Sequence, residues 1–154
     1  MAKEKSKSRF VYVTYIRSTP EEVFQAITEP EVARQYWMNE NVSDWKPGSP
    51  WEHRATDGSR AVRLLGEVLE HTPPRRLVIT WAFPSDRGNR AKHSRVAFDL
   101  ERIEDMVRLT VTHDDLEPGS EMERGIAEGW PRVLASLKSF LETGRPLATW
   151  AGKK

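Results

Sequence analysis

From Glu121 to Thr143 apolar residues recur at steps of three and four: Met122, Ile126, Trp130, Val133, Leu134, Leu137, Phe140 and Leu141. At helical pitch they share one side. Glu123, Arg124, Glu128, Arg132, Ser139 and Glu142 fall on the other and are expected to face water. The pattern predicts one amphipathic helix of about 34 Å, not a membrane span. Gly144 supplies the expected left-handed cap and Pro146 the stop. Gly125 and Gly129 lie on one edge of the apolar side, and Pro131 removes an internal hydrogen bond. Two readings follow: a kinked helix that leaves volume for a ligand beneath it, or glycines that permit close backbone contact, with the helix starting afresh at Pro131.

Upstream, the pattern predicts strands. Arg9 to Arg17 is β-branched and aromatic, apolar on both faces. Ser18 or Thr19 then caps a helix whose stripe is Val23, Phe24, Ala26 and Ile27, with Pro20 in its first turn. After Thr28-Glu29-Pro30, a second short helix runs from Glu31 to Trp37, anchored by Val32, Tyr36 and Trp37. Such short helices need something to pack on. From Val42 the period becomes two. A hairpin is expected from Val42–Lys46 and Trp51–Arg54 around Pro47-Gly48-Ser49-Pro50, with the next turn at Asp57-Gly58. Strands follow at Ala61–His71, with Val62, Leu64, Gly66 and Val68 on one face, and at Arg76–Phe83, with Leu77, Ile79, Trp81 and Phe83 on one side. Gly66 marks a bulge or a close approach. A polar loop, Pro84–Lys92, precedes the last two stripes: Val96, Phe98, Leu100, then Val107, Leu109, Val111 and His113. Strand, two short helices, about six strands and one long helix predict an α+β domain, a single curved antiparallel sheet around the C-terminal helix.

The 154 residues fit one domain, expected over residues 9–144, with a basic tail at 1–8 and a second tail at 145–154. Lys and Arg number 24 against 23 Asp and Glu, so general electrostatic attraction to nucleic acid is not expected. There is no cysteine, which rules out disulfides and thiolate metal sites and agrees with a reducing cytoplasm. No signal-peptide pattern or membrane helix is read, and a cytoplasmic location is expected. No histidine spacing resembles a zinc or iron site, and no phosphate-binding glycine loop or nucleophile elbow is present, so neither metal nor cofactor is expected.

Four phrases then point to a family: STPEEVFQAITEP from Ser18, GEVLEHTPPRRLVITW from Gly66, RLTVTHDDL from Arg108 and GWPRVLASLKSFLE from Gly129. In this order they resemble the SRPBCC (START-like) superfamily, in the branch named after the C-terminal domain of the activator of the heat-shock protein 90 ATPase. The resemblance spans roughly residues 9–141. It implies the helix-grip fold of the birch-pollen allergen, with two short helices after the first strand and an apolar cavity between sheet and long helix. Members bind lipids, hormones or other hydrophobic molecules, and a few catalyse cyclisation or related reactions. There is no universal catalytic motif to carry over. The eukaryotic activator works largely through a separate N-terminal domain, for which this chain has no room, so a chaperone role is the lesser expectation.

The leading expectation is a binder of a hydrophobic or amphipathic small molecule. Its cavity would be lined by Trp51, Trp81, Phe83, Phe98, Leu109, Val111, His113, Met122, Ile126, Trp130, Val133 and Leu137. Core packing of the same aromatics is the plainer alternative. His113 continues the inward alternation of its strand and is the one candidate for acid–base chemistry or for orienting a ligand; a strand-end histidine with its hydrogen bonds complete is the simpler reading. The alternatives are a chaperone-associated interaction module and a cyclase- or hydrolase-type enzyme using the same cavity. Oligomeric state stays open.

Overall fold

The computed structural model describes residues 6–147; the remainders of the two expected tails, 1–5 and 148–154, lie outside the described residues. Strand β1 (Ser8–Ile16) leads into helices α1 (Pro20–Thr28) and α2 (Pro30–Trp37). Six strands follow: β2 (Asn39–Val42), β3 (Pro50–Ala55), β4 (Val62–Thr72), β5 (Arg76–Trp81), β6 (Ser94–Ile103) and β7 (Met106–Leu116). Helix α3 (Glu121–Thr143) closes the chain. All seven strands form one antiparallel sheet, ordered β1-β7-β6-β5-β4-β3-β2. Sequence neighbours from β2 to β7 pair in turn, and β1 closes against β7. This is the helix-grip architecture: the curved sheet folds around α3 while α1 and α2 pack at one end.

Helix ends obey local chemistry. Thr19 caps α1, its hydroxyl accepting from Glu22 N–H at 3.2 Å, and Ser120 caps α3 by accepting from Glu123 N–H at 3.1 Å. Caps of this kind contribute about 1 kcal/mol each. Gly144 ends α3 in the left-handed region, φ +81°. Helix α3 runs through Pro131 as one element of 23 residues. Gly125 is exposed, and a methyl group there would meet nothing within 4 Å, so close backbone contact is not its role.

Two expectations are corrected here. Glu123 and Glu142 do not simply face water. Glu123 accepts from Ser8 Oγ and from Gly119 N–H, Glu142 accepts from Arg17 N–H at 2.7 Å, and Lys138 Nζ donates to Tyr15 O at 2.5 Å. Both ends of α3 are thereby tied to β1 or the residue after it. Residues 43–46 are not a strand either; the first arm of the hairpin is β2, paired from Asn39↔Ala55 to Val42↔Glu52. Trp45 instead takes φ +62° and turns inward, its indole N–H donating to Thr28 O at 3.0 Å, so this segment seals the helix pair.

The alternation on β4 breaks at Gly66. Leu65 and Val68, three apart, are both buried. The carbonyl of Thr80 on β5 leans towards Gly66 and accepts from Trp51 Nε1 at 2.7 Å, while Thr80 Oγ1 accepts from Glu67 N–H at 2.8 Å. Side-chain bonds thus replace part of the β4–β5 ladder, and only glycine leaves room for the approach.

Candidate functional site

Six elements send rings to one end of the interior. Trp51 and His53 come from β3, Trp81 from β5, Phe98 from β6, His113 from β7, Trp37 from α2 and Trp130 from α3. On the strands this follows from alternation and register: Trp81 pairs with Ser94, and Val96 with His113, so these inward residues lie in adjacent rows. The rings touch. Trp81 lies 5.3 Å from both Trp51 and Trp130, Phe98 lies 5.7 Å from Trp130, and Trp37 lies 4.7 Å from His53, centroid to centroid. These are tilted and edge-to-face contacts of packed aromatics. Ring contacts run without interruption from Trp51 through Trp81 and Trp130 to Phe98.

Hydrogen bonds determine the two histidine tautomers. Trp130 Nε1–H donates to His113 Nδ1 at 3.0 Å, so that nitrogen carries no proton. His113 Nε2–H therefore donates to Ser94 Oγ at 2.8 Å, and the hydroxyl passes its own proton to Trp81 O at 2.9 Å. Both nitrogens of His113 are engaged. At His53 the logic starts from Asn41, whose amide N–H donates to Ile27 O at 2.8 Å. The Asn41 carbonyl then faces His53 Nδ1 at 2.7 Å and must accept from it. His53 Nε2 is left as a bare acceptor; among the described residues its ring makes no other hydrogen bond. Burial pushes the pKa of each imidazole down to about 3, with Arg63 adding to the effect at His53 and Asp114 opposing it at His113. Both are neutral near pH 7.

One donor in the nest has no acceptor. The Trp81 indole N–H is buried and makes no hydrogen bond among the described residues. Two hollows indent the surface, one of about 370 Å³ bordered by Arg75, Arg76 and Asp99, the other of about 250 Å³ bordered by Trp51, Gly66, Glu67 and His93. Neither lies between the sheet and α3. Among the described residues no three His, Asp or Glu side chains come together as a metal site would require, and no helix is long and apolar enough to cross a membrane.

Residues 17–142 match the family model described as activator of Hsp90 ATPase homolog 1-like protein. The chain belongs to this family. Solved structures carry the same fold. CalU16 from Micromonospora echinospora is 23% identical with TM-score 0.69, over 90% of this chain and 78% of that one. The Aha1 dimer from Colwellia psychrerythraea is 21% identical with TM-score 0.72, over 89% and 98%. An HSP90 activator from Plasmodium falciparum is 22% identical with TM-score 0.70, over 90% and 97%. No functionally curated protein matches the chain.

In this family member most of the residues read from sequence as cavity walls share one cluster: Trp51, Trp81, Phe98, Leu109, Val111, Ile126, Trp130, Val133 and Leu137 are buried together, with Met122 half-buried against them. His113 is fully buried and in ring contact with Trp81 and Trp130. Phe83 does not join them. It lies beyond the end of β5, half-buried at the start of a 3₁₀ turn (Pro84–Asp86). Sequence reading missed His53, Asn41, Ser94 and Trp37 as parts of the site. His53 was within reach, since it stands two residues from Trp51 and must share its face; the Asn41 and Ser94 bonds arise from tertiary contacts that no local pattern encodes.

Proposed function

We propose that this family member binds a hydrophobic small molecule among the rings of β3, β5, β7 and α3. The observation that supports it best is the buried Trp81 N–H without an acceptor. An unpaired buried donor costs roughly 1–3 kcal/mol, and a bound acceptor recovers that cost. A guest enters by parting the aromatic rings, and the apolar walls supply most of its affinity. The polar contacts of His113 hold Trp130 and Ser94 in place, so its role is positioning the wall rather than proton transfer. The chain has six tryptophans, each giving one indole N–H signal. In spectra recorded against a panel of neutral aromatic and polycyclic compounds, the signals of Trp81 and Trp130 are expected to move saturably with at least one compound. No movement with any member removes the reading.

A second reading, a chaperone-facing interaction module, draws on the outer face of β1. There Val11, Val13 and Tyr15 are exposed on an edge strand of the sheet, an arrangement suited to a protein partner. The family name and the Plasmodium falciparum relative agree with it. It predicts that the purified protein raises the ATPase rate of a heat-shock protein 90 and that Val13→Asp abolishes the effect. An unchanged rate with the unaltered protein counts against it.

A further inference from the structure

Two neighbouring polar atoms of the nest, one a buried donor and one an acceptor, have no hydrogen-bond partner among the described residues. Trp81 Nε1–H donates to nothing. His53 Nε2 accepts from nothing among the described residues, because Nδ1 carries the ring proton and gives it to Asn41. The two rings are 6.3 Å apart, centroid to centroid, and both residues are more than nine-tenths buried. For one oxygen to bond both nitrogens at about 2.8 Å, the two nitrogens must stand within about 5.6 Å of each other.

The geometry points to a ligand class: a neutral hydrophobic molecule bearing a hydroxyl group, whose oxygen accepts from Trp81 Nε1 and whose proton goes to His53 Nε2. This deepens the small-molecule reading above and rests on it. A carbonyl or ether satisfies Trp81 but sets its lone pairs against those of His53. An amine N–H satisfies His53 but brings no comparable acceptor to Trp81. A charged head group is disfavoured by the same environment that keeps both histidines neutral, since a buried unpaired charge costs far more than a missing hydrogen bond. A hydroxyl alone meets both demands with one atom. Asn41 acts at one remove as a positioning residue, because its amide, oriented by Ile27 O, fixes which His53 nitrogen is bare.

Three probes of nearly equal shape separate the possibilities: naphthalene, 2-methoxynaphthalene and 2-naphthol, titrated calorimetrically into the full chain at pH 7. The expected order is 2-naphthol about tenfold tighter than the other two, the gain of a paired buried hydrogen bond, with the Trp81 indole proton moving on binding. In Trp81→Phe the ratio of the 2-naphthol affinity to the naphthalene affinity is expected to fall to about threefold or less, whatever the change in either one alone. If naphthalene binds and 2-naphthol is no tighter, the hydroxyl assignment is overturned and the binding function stands. If 2-methoxynaphthalene equals 2-naphthol, the bridge to His53 is overturned. If none of the three binds and the wider panel is also silent, the binding function itself falls, and this assignment with it. The three unmodified-chain titrations decide the matter even if the variant fails to fold.

Discussion

Stability is expected to fall steeply as the pH drops from about 6.5 towards 4.5, a range in which most proteins change little. The cause is the pair of buried neutral imidazoles. Unfolded, His53 and His113 take up protons around their ordinary value of 6.5; folded, they resist until about 3. Between those values the unfolded chain binds more protons than the native one, so stability rises with pH there and is lost as pH falls. Each histidine contributes a slope of about 1.4 kcal/mol per pH unit, and the two together about 3. Above pH 7 neither state takes up a proton at these sites, and their contribution is flat. Several carboxylates, among them Glu123, Glu142 and Glu70, are held below their ordinary values by hydrogen bonds from Ser8, Arg17 and Arg76 respectively. They act in the same direction but only below about 5, where free carboxylates begin to protonate. Urea midpoints at pH 7.5, 6.5, 5.8 and 5.2 therefore isolate the histidines. A midpoint unchanged over that series would mean that both imidazoles take up protons in the fold as readily as in the unfolded chain.

The second large effect is at Gly66. A Cβ built there lies 2.0 Å from Thr80 O, 2.5 Å from Thr80 C and 2.6 Å from Thr80 Oγ1. The first two are backbone atoms and cannot swing aside. Moving Thr80 also disturbs two hydrogen bonds, from Trp51 Nε1 and from Glu67 N–H, and with them one wall of the aromatic nest. Gly66→Ala is expected to lower stability by roughly 3 kcal/mol, read as a reduced urea midpoint at unchanged slope. Gly125→Ala is the matched control, a glycine on an exposed helical face with nothing within 4 Å of the added methyl. There the helix gains propensity, and stability is expected to hold or rise. Equal losses at the two glycines would contradict the close approach at Gly66.

These cases show where the sequence was legible. Elements set by local periodicity came out as read: α3 from Glu121 to Thr143, its cap at Gly144, and the inward rows of β6 and β7; at Gly66, read as a bulge or a close approach, the close approach is present while the alternation around it is broken. The open question of the two faces of β1 is answered by its place at the sheet edge, with Val11, Val13 and Tyr15 outward. Residues 43–46 misled because alternation cannot reveal that Trp45 would adopt a positive φ and donate to Thr28. Phe83 misled because the strand ends two residues before it. The chemistry of the site was less visible still. Which histidine keeps a bare nitrogen depends on Asn41, Ser94 and Trp130, residues distant in sequence and joined only by the fold.

The measurement that bears most directly on the central claim is native mass spectrometry of the protein purified from its own host, followed by organic extraction of whatever it retains. A stoichiometric adduct of a small, neutral, hydroxyl-bearing hydrophobic compound is the predicted result. Protein found in every preparation at the mass of the chain alone would contradict the claim that this interior serves a ligand, and would move the weight to the exposed face of β1 and a protein partner.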